Sequence, residues 1–255
     1  MRYLLRLPRL LFAAYEFLIF VLCMLVLLPF VAISALFGKS VGGNMIYKLC
    51  YVWANILIFC GGVRQKTTYL ARHDTGKRYV FVANHISYAD IPVVIKAIGT
   101  KQKYRILGKY EMTKFPFFGF IYRNATVMVD RSSARKRAES VHQLKKVIAK
   151  DISIMIFPEG TFNETGRPLK KFFDGAFRIA IETKTPIKPI LLLDTYKRLN
   201  YKSIFSMTPG RSRVVFLEEI PVEGLTIADV KMLKDKVYKA MEEKLLMYKA
   251  DWIEA

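Results

Sequence analysis

The sequence predicts an α/β sandwich around a mixed sheet, preceded by an N-terminal membrane-attached helical hairpin. Three observations carry this reading. From residue 78 onward, short apolar runs alternate with amphipathic ones, as strands and helices do when they pack in layers. No charge interrupts the stretch from Phe17 to Gly38, and about 20 apolar residues make a helix of about 30 Å, enough to cross a hydrocarbon core. A second uncharged stretch, LCYVWANILIFCGGV at 49–63, comes after GKSVGG, a turn-like connection. The chain then divides into a membrane-attached helical segment at 1–63 and an α/β domain at 64–255.

Within the first stretch, Pro29 should kink or break the helix. The second stretch is short for a span, so the hairpin either crosses the membrane or dips into one leaflet. Basic residues flank the first helix on both sides and do not choose an orientation. A cleaved signal peptide fits poorly, because Glu16 lies in the leader and the leader is long.

In the body, the expected strands are YVFVA, KYRIL, TVMVD, SIMIF, IKPILLL and RVVFLEE. The expected helices follow Asp90, then cover SSARKRAESVHQLKKVIAK, FFDGAFRIAIET and ADVKMLKDKVYKAMEEKLLMY. Ser132 or Ser133 can cap the second of these. The 255 residues carry 41 Lys and Arg against 21 Asp and Glu, a formal charge of +20, although 53% of residues are apolar. Such a balance fits a folded protein that meets something acidic: phosphorylated substrates, anionic lipid, nucleic acid or an acidic carrier protein. The basic run RSSARKRAESVHQLKK lacks interleaved aromatic residues for base stacking, which argues against nucleic acid.

All three cysteines, Cys23, Cys50 and Cys60, fall in the apolar segment. That excludes a cysteine nucleophile in the body and argues against a disulfide framework. Three polar clusters stand directly after expected strands: NHISYAD at 84–90, DR at 130–131 and FPEGT at 157–161. In α/β folds, sites collect beyond the carboxyl ends of strands. His85 and Asp90 have the chemistry of a general base and the carboxylate that orients it. Five residues place them about 140° apart on an ideal helix, so a turn with Asp90 opening the helix must bring them together. No Gly-x-Ser-x-Gly elbow accompanies them. A base without a protein nucleophile points to a substrate hydroxyl as the attacking group.

These blocks resemble the 1-acylglycerol-3-phosphate (lysophosphatidic acid) acyltransferases. NHISYAD is similar to that family's Asn-His-x-x-x-x-Asp signature. GKYEMTKFPFFGFIYRNATVMVDR is similar to its second block, FPEGT to its third and TPIKPI to its fourth, in order across about residues 80–190. The resemblance implies the glycerolipid acyltransferase fold, His85 as base and Asp90 as its orienting partner. It also implies direct attack on an acyl thioester of coenzyme A or acyl carrier protein, with no metal or further cofactor. Glu159, Gly160 and Thr161 then fall in the acceptor site, with Arg131 and Lys109 facing its phosphate. The implied setting is an anionic membrane surface, with the active site toward the cytoplasm.

The chain departs from the family pattern at Phe162, where Arg or Ser follows the Thr, at Ala125, and at Phe173 and Asp174, where lysines are usual. Arg167, Lys170 and Lys171 are candidates to restore the missing positive charge. On the residues alone, two other readings stay open: acylation of another acceptor, such as an amino-acid lipid or another lysophospholipid, and a non-catalytic basic membrane-surface protein.

Overall fold

The computed structural model describes residues 6–129 and 133–253. Helix α1 (Arg6–Ala35) runs for 30 residues. The break expected at Pro29 does not occur, and the helix continues through it. Proline removes one N–H from the ladder and crowds the carbonyl four residues back; Pro29 stands on an exposed face. A π-helical turn (Gly38–Gly42) reverses the chain into α2 (Gly43–Cys60). Gly42 permits that reversal, since a Cβ there would sit 2.0 Å from the carbonyl oxygen of Ser34.

Seven strands form one sheet in the order β1-β7-β6-β2-β5-β3-β4. They are β1 (Val63–Tyr69), β2 (Val80–Ala83), β3 (Tyr104–Lys109), β4 (Val127–Val129), β5 (Ser153–Ile156), β6 (Ile187–Leu192) and β7 (Gly210–Phe216). Strands β6, β2, β5, β3 and β4 are mutually parallel, whereas β7 runs antiparallel to β6 and β1 runs parallel to β7. The sheet is therefore mixed, as expected, with the six anticipated strands in place. Edge strand β1 escapes the sequence reading because its residues, VRQKTTY, are mostly polar and only every second one is partly buried.

The remaining helices are α3 (Asp90–Ile98), α4 (Phe118–Ala125), α5 (Ala134–Ile148), α6 (Gly175–Glu182), α7 (Thr195–Arg198) and α8 (Val230–Met247). Ser133 caps α5 by accepting from the Lys136 N–H at 3.2 Å. Alternation along β2 sends Val80 and Val82 to one core and Phe81 and Ala83 to the other. The first core is filled by α5, α6 and α8 and the second by α2 and α3.

The hairpin is part of the second core. Ile46, Ala54 and Ile58 pack in the cluster that holds Phe81 and Phe216. The Tyr47 hydroxyl accepts from the Ile106 N–H at 2.6 Å, and the Arg105 guanidinium donates to the carbonyls of Lys39 and Ser40 at 3.0 and 3.1 Å. The opposite side of α1 leaves Leu18, Leu22, Leu25, Val26, Phe30 and Ile33 exposed. Such an apolar face is of the kind that a membrane or a partner covers. Both hairpin helices are long and apolar enough to cross a membrane.

Candidate active site

Strands β2 and β5 are parallel neighbours, so the segments that leave their carboxyl ends emerge side by side. Asn84 extends the pairing past β2: its amide donates to the Leu192 carbonyl at 3.0 Å and accepts from the Leu192 N–H at 2.9 Å. The chain then turns, and Asp90 opens α3. This brings His85 Nδ1 to 2.8 Å from Asp90 Oδ2.

Asp90 is fully buried. Its Oδ2 also accepts from the N–H groups of Ile86 and Ser87 at 2.7 and 2.8 Å, and its Oδ1 accepts from the Thr195 hydroxyl at 2.6 Å. A carboxylate only accepts, so Nδ1 of His85 carries the proton and Nε2 is left with its lone pair. The imidazole stacks on Phe157, with centroids 4.2 Å apart, and lies 4.4 Å from the ring of Phe162. Phe162, in the place of a usual Arg or Ser, thus adds a second aromatic contact to the histidine.

Glu159 is placed differently from the expectation that it contacts the acceptor. It is fully buried and does not line the cavity onto which His85 opens. Its two oxygens accept from the N–H groups of His85 and Lys170, at 2.9 and 3.0 Å. The carboxyl braces the β2 exit against the β5 exit. Burial pushes it up to about 8, against the lowering effect of those two N–H donors. Gly160 takes the turn at φ +74°, a conformation that suits glycine. Gly160 and Thr161 both line the cavity.

Lys109, at the end of β3, also lines the cavity. Arg131, and with it Asp130, lies outside the described residues. None of the three replacement cations lines the cavity; Lys170 touches its wall through Thr161, whose hydroxyl accepts from the Lys170 Nζ at 2.7 Å. Arg167 and Lys171 are exposed and do not line the cavity. Asp174, where a lysine is usual, binds Lys234 of α8 at 2.7 Å.

The cavity has a volume of about 1370 Å³, above the usual range for drug-sized ligands. It runs from His85 between α1 and α2 on one side and α3 and α4 on the other. Its wall is mainly apolar, with Phe20, Leu27, Trp53, Ile91 and Ile121 among the lining residues. Sequence reasoning finds neither this space nor the roles of Thr195 and Asn84. The signal for Thr195 is present, since DT directly follows the β6 run as polar clusters follow β2 and β5.

A base in the correct tautomer at the mouth of an apolar cavity is suited to activating a hydroxyl beside a long-chain substrate. The profile of the Acyltransferase family matches residues 65–193, half of the chain. The chain belongs to the acyltransferase family. Among relatives of this acyltransferase, the 1-acyl-sn-glycerol-3-phosphate acyltransferase of Haemophilus influenzae is 29% identical over 170 residues, covering 66% of this chain and 68% of that one. The human 1-acyl-sn-glycerol-3-phosphate acyltransferase alpha is 27% identical over 216 residues, covering 83% and 73%. The fold matches the crystal structure of the acyltransferase PlsC from Thermotoga maritima, with a TM-score of 0.73 at 18% identity over all of both chains.

Proposed function

We propose that this acyltransferase moves an acyl chain from a coenzyme A or acyl carrier protein thioester to the free hydroxyl of 1-acylglycerol-3-phosphate, giving phosphatidic acid. The observation that carries the reading is the Asp90-anchored His85, which lines a lipid-sized, mainly apolar cavity. The acceptor is named from relatives that act on 1-acyl-sn-glycerol-3-phosphate.

In the reaction, Nε2 takes the acceptor's hydroxyl proton as its oxygen attacks the thioester carbonyl. Asp90 stabilises the imidazolium that forms. The tetrahedral adduct collapses with cleavage of the C–S bond, and the imidazolium returns the proton to the leaving sulfur. The acyl chain passes directly between substrates; all three cysteines lie on the hairpin helices, and none lies in the body that carries His85 and Asp90. Lys109 and Lys170 hold the phosphate, with Arg131. The exposed stripe of α1 rests in the membrane, and the basic body faces an anionic cytoplasmic leaflet.

The test is a panel of lysophospholipid and amino-acid-lipid acceptors with both donor types, run with the wild type and His85→Ala. The reading requires 1-acylglycerol-3-phosphate to be the best acceptor and the variant to be inactive. Preference for an acceptor lacking phosphate would overturn it.

A further inference from the structure

Glu16 is the one acid in residues 1–63. It is 4% exposed, and neither carboxyl oxygen has a hydrogen-bond partner among the described residues. It does not belong to the outward stripe of α1. It lines the large cavity together with Ala13, Phe17 and Phe20. A buried carboxyl with no partner is costly, and an apolar side chain would fill the same position without that cost.

Its location is also informative. A Cβ on Gly61 would stand 3.5 Å from Glu16 Oε2 and 2.9 Å from the methyl carbon of Met207. Met207 lies on the loop after α7, and at the start of that loop the Leu199 carbonyl accepts from the hydroxyl of Ser87, two residues from His85. Gly61 also precedes β1, which begins with β7 at the sheet edge where β6 and β2 end, so Glu16 lies toward the edge that carries His85.

We propose that Glu16 binds a hydroxyl carried by the acyl chain near its thioester end, so that the enzyme favours β-hydroxyacyl donors over unsubstituted ones. This rests on the proposed function. A hydroxyl both donates and accepts, and so satisfies the carboxyl whichever protonation state it holds. It is also a polar group that an acyl chain can carry while keeping an apolar body to fill the rest of the cavity.

The experiment uses the full chain in anionic vesicles, with a saturated acyl-coenzyme A and its β-hydroxy derivative in direct competition. The wild type should prefer the hydroxylated donor by about tenfold, the scale of one buried hydrogen bond with its partner otherwise unsatisfied. Glu16→Leu should abolish or invert the preference, and Glu16→Gln should keep much of it. In parallel, the free β-hydroxy and unsubstituted fatty acids are used to displace a fluorescent fatty acid from His85→Ala protein, with and without Glu16→Leu. This arm reads binding without turnover. A preference there that depends on Glu16 sustains the inference even if no tested acceptor is acylated, an outcome that would count against the proposed function alone. Equal displacement by both acids, unchanged by Glu16→Leu, overturns it, as does a Glu16→Leu enzyme that is only more stable, with the same donor ratio.

Discussion

The hydroxyl of Thr195, at the start of α7, donates to Oδ1 of Asp90 at 2.6 Å and fills the one carboxylate oxygen that does not face His85. With the Ile86 and Ser87 N–H groups on Oδ2, the carboxylate cannot rotate without breaking several bonds. Thr195 is a positioning residue for the base. Thr195→Val keeps the shape and removes the donor. It should lower kcat about tenfold, in line with loss of one hydrogen bond to a charged group, with the KM of the donor little changed. Thr195→Ser should restore most of the rate, which a purely packing role for the methyl group would not allow.

His85→Ala should remove nearly all transfer, since a positioned base contributes on the order of a hundred- to ten-thousand-fold. Asp90→Asn should do comparable damage and also lower Tm. With the amide oxygen kept on the N–H groups that now bind Oδ2, its NH2 would face the Thr195 hydroxyl, which donates to the carboxylate and would have to turn to accept. Replacing Cys23, Cys50 and Cys60 together with serine should leave no effect specific to chemistry. Incubation with labelled donor alone should leave the protein unlabelled; a label that the acceptor then removes would establish an acyl-enzyme and refute direct transfer.

Glu159 makes stability depend on pH in a definite direction. Burial raises its carboxyl from 4.5 to about 8, so the folded state keeps a proton that the unfolded chain releases. The stabilisation is complete below the unfolded value and is lost as pH rises through about 8. Tm should therefore fall between pH 5 and pH 9 (roughly the window those values define). Glu159→Gln cannot ionise, so its Tm should change less over the same range while lying below wild type at the acid end, where one N–H acceptor is missing. Parallel curves for the two proteins would show that the carboxyl is already ionised at the acid end.

The hairpin should not behave as a removable anchor. Tyr47, Ala54 and Ile58 close the core over Phe81 and Phe216, and Arg105 ties the turn to the sheet. Deletion of residues 1–62 would uncover that face and leave the Arg105 guanidinium without two of its acceptors. The truncated protein should aggregate when made without detergent, as judged by sedimentation. A soluble, cooperatively melting fragment would mean that the body closes its core without the hairpin.

Most of the sheet is legible in the sequence because its central strands are buried on both faces and read as continuous apolar runs, VFVA in β2 and SIMI in β5 being fully buried. Edge strand β1 is not, since Arg64 and Lys66 face water and only alternate residues turn inward. Helix α4 is hidden between Pro116 and the short β4, in a segment whose aromatic residues suit strand and helix equally. At the site, His85 and Asp90 are five residues apart and lie on one turn, so local spacing reveals them. Thr195 is 105 residues from Asp90, and only the adjacency of β6 to β2 brings it close. The burial of Glu159 is hidden for a related reason. An acid in a Pro-Glu-Gly turn looks solvent-facing until the backbone of residue 170 folds over it.

The phosphate of the acceptor should be read by Lys109 and Lys170 as well as by Arg131. Lys109 stands at the cavity wall where β3 ends. Lys170 reaches the Thr161 hydroxyl at 2.7 Å on the side where Phe162 has displaced a usual cation. Its backbone N–H is held by Glu159, so its position is fixed by the same brace that holds the base. A charge-assisted contact contributes about 1.5–3 kcal/mol, or roughly ten- to a hundredfold; partial exposure of the ammonium places Lys170 at the low end. Lys109→Ala and Lys170→Ala should each raise the KM for lysophosphatidic acid about tenfold and leave the donor's KM nearly unchanged. With an acceptor that lacks the phosphate, the two variants should match wild type. If Lys170→Ala instead lowers kcat for both acceptors alike, the lysine serves the FPEGT turn through Thr161, and Arg167 and Lys171 become the remaining candidates to replace the charge lost at Phe162.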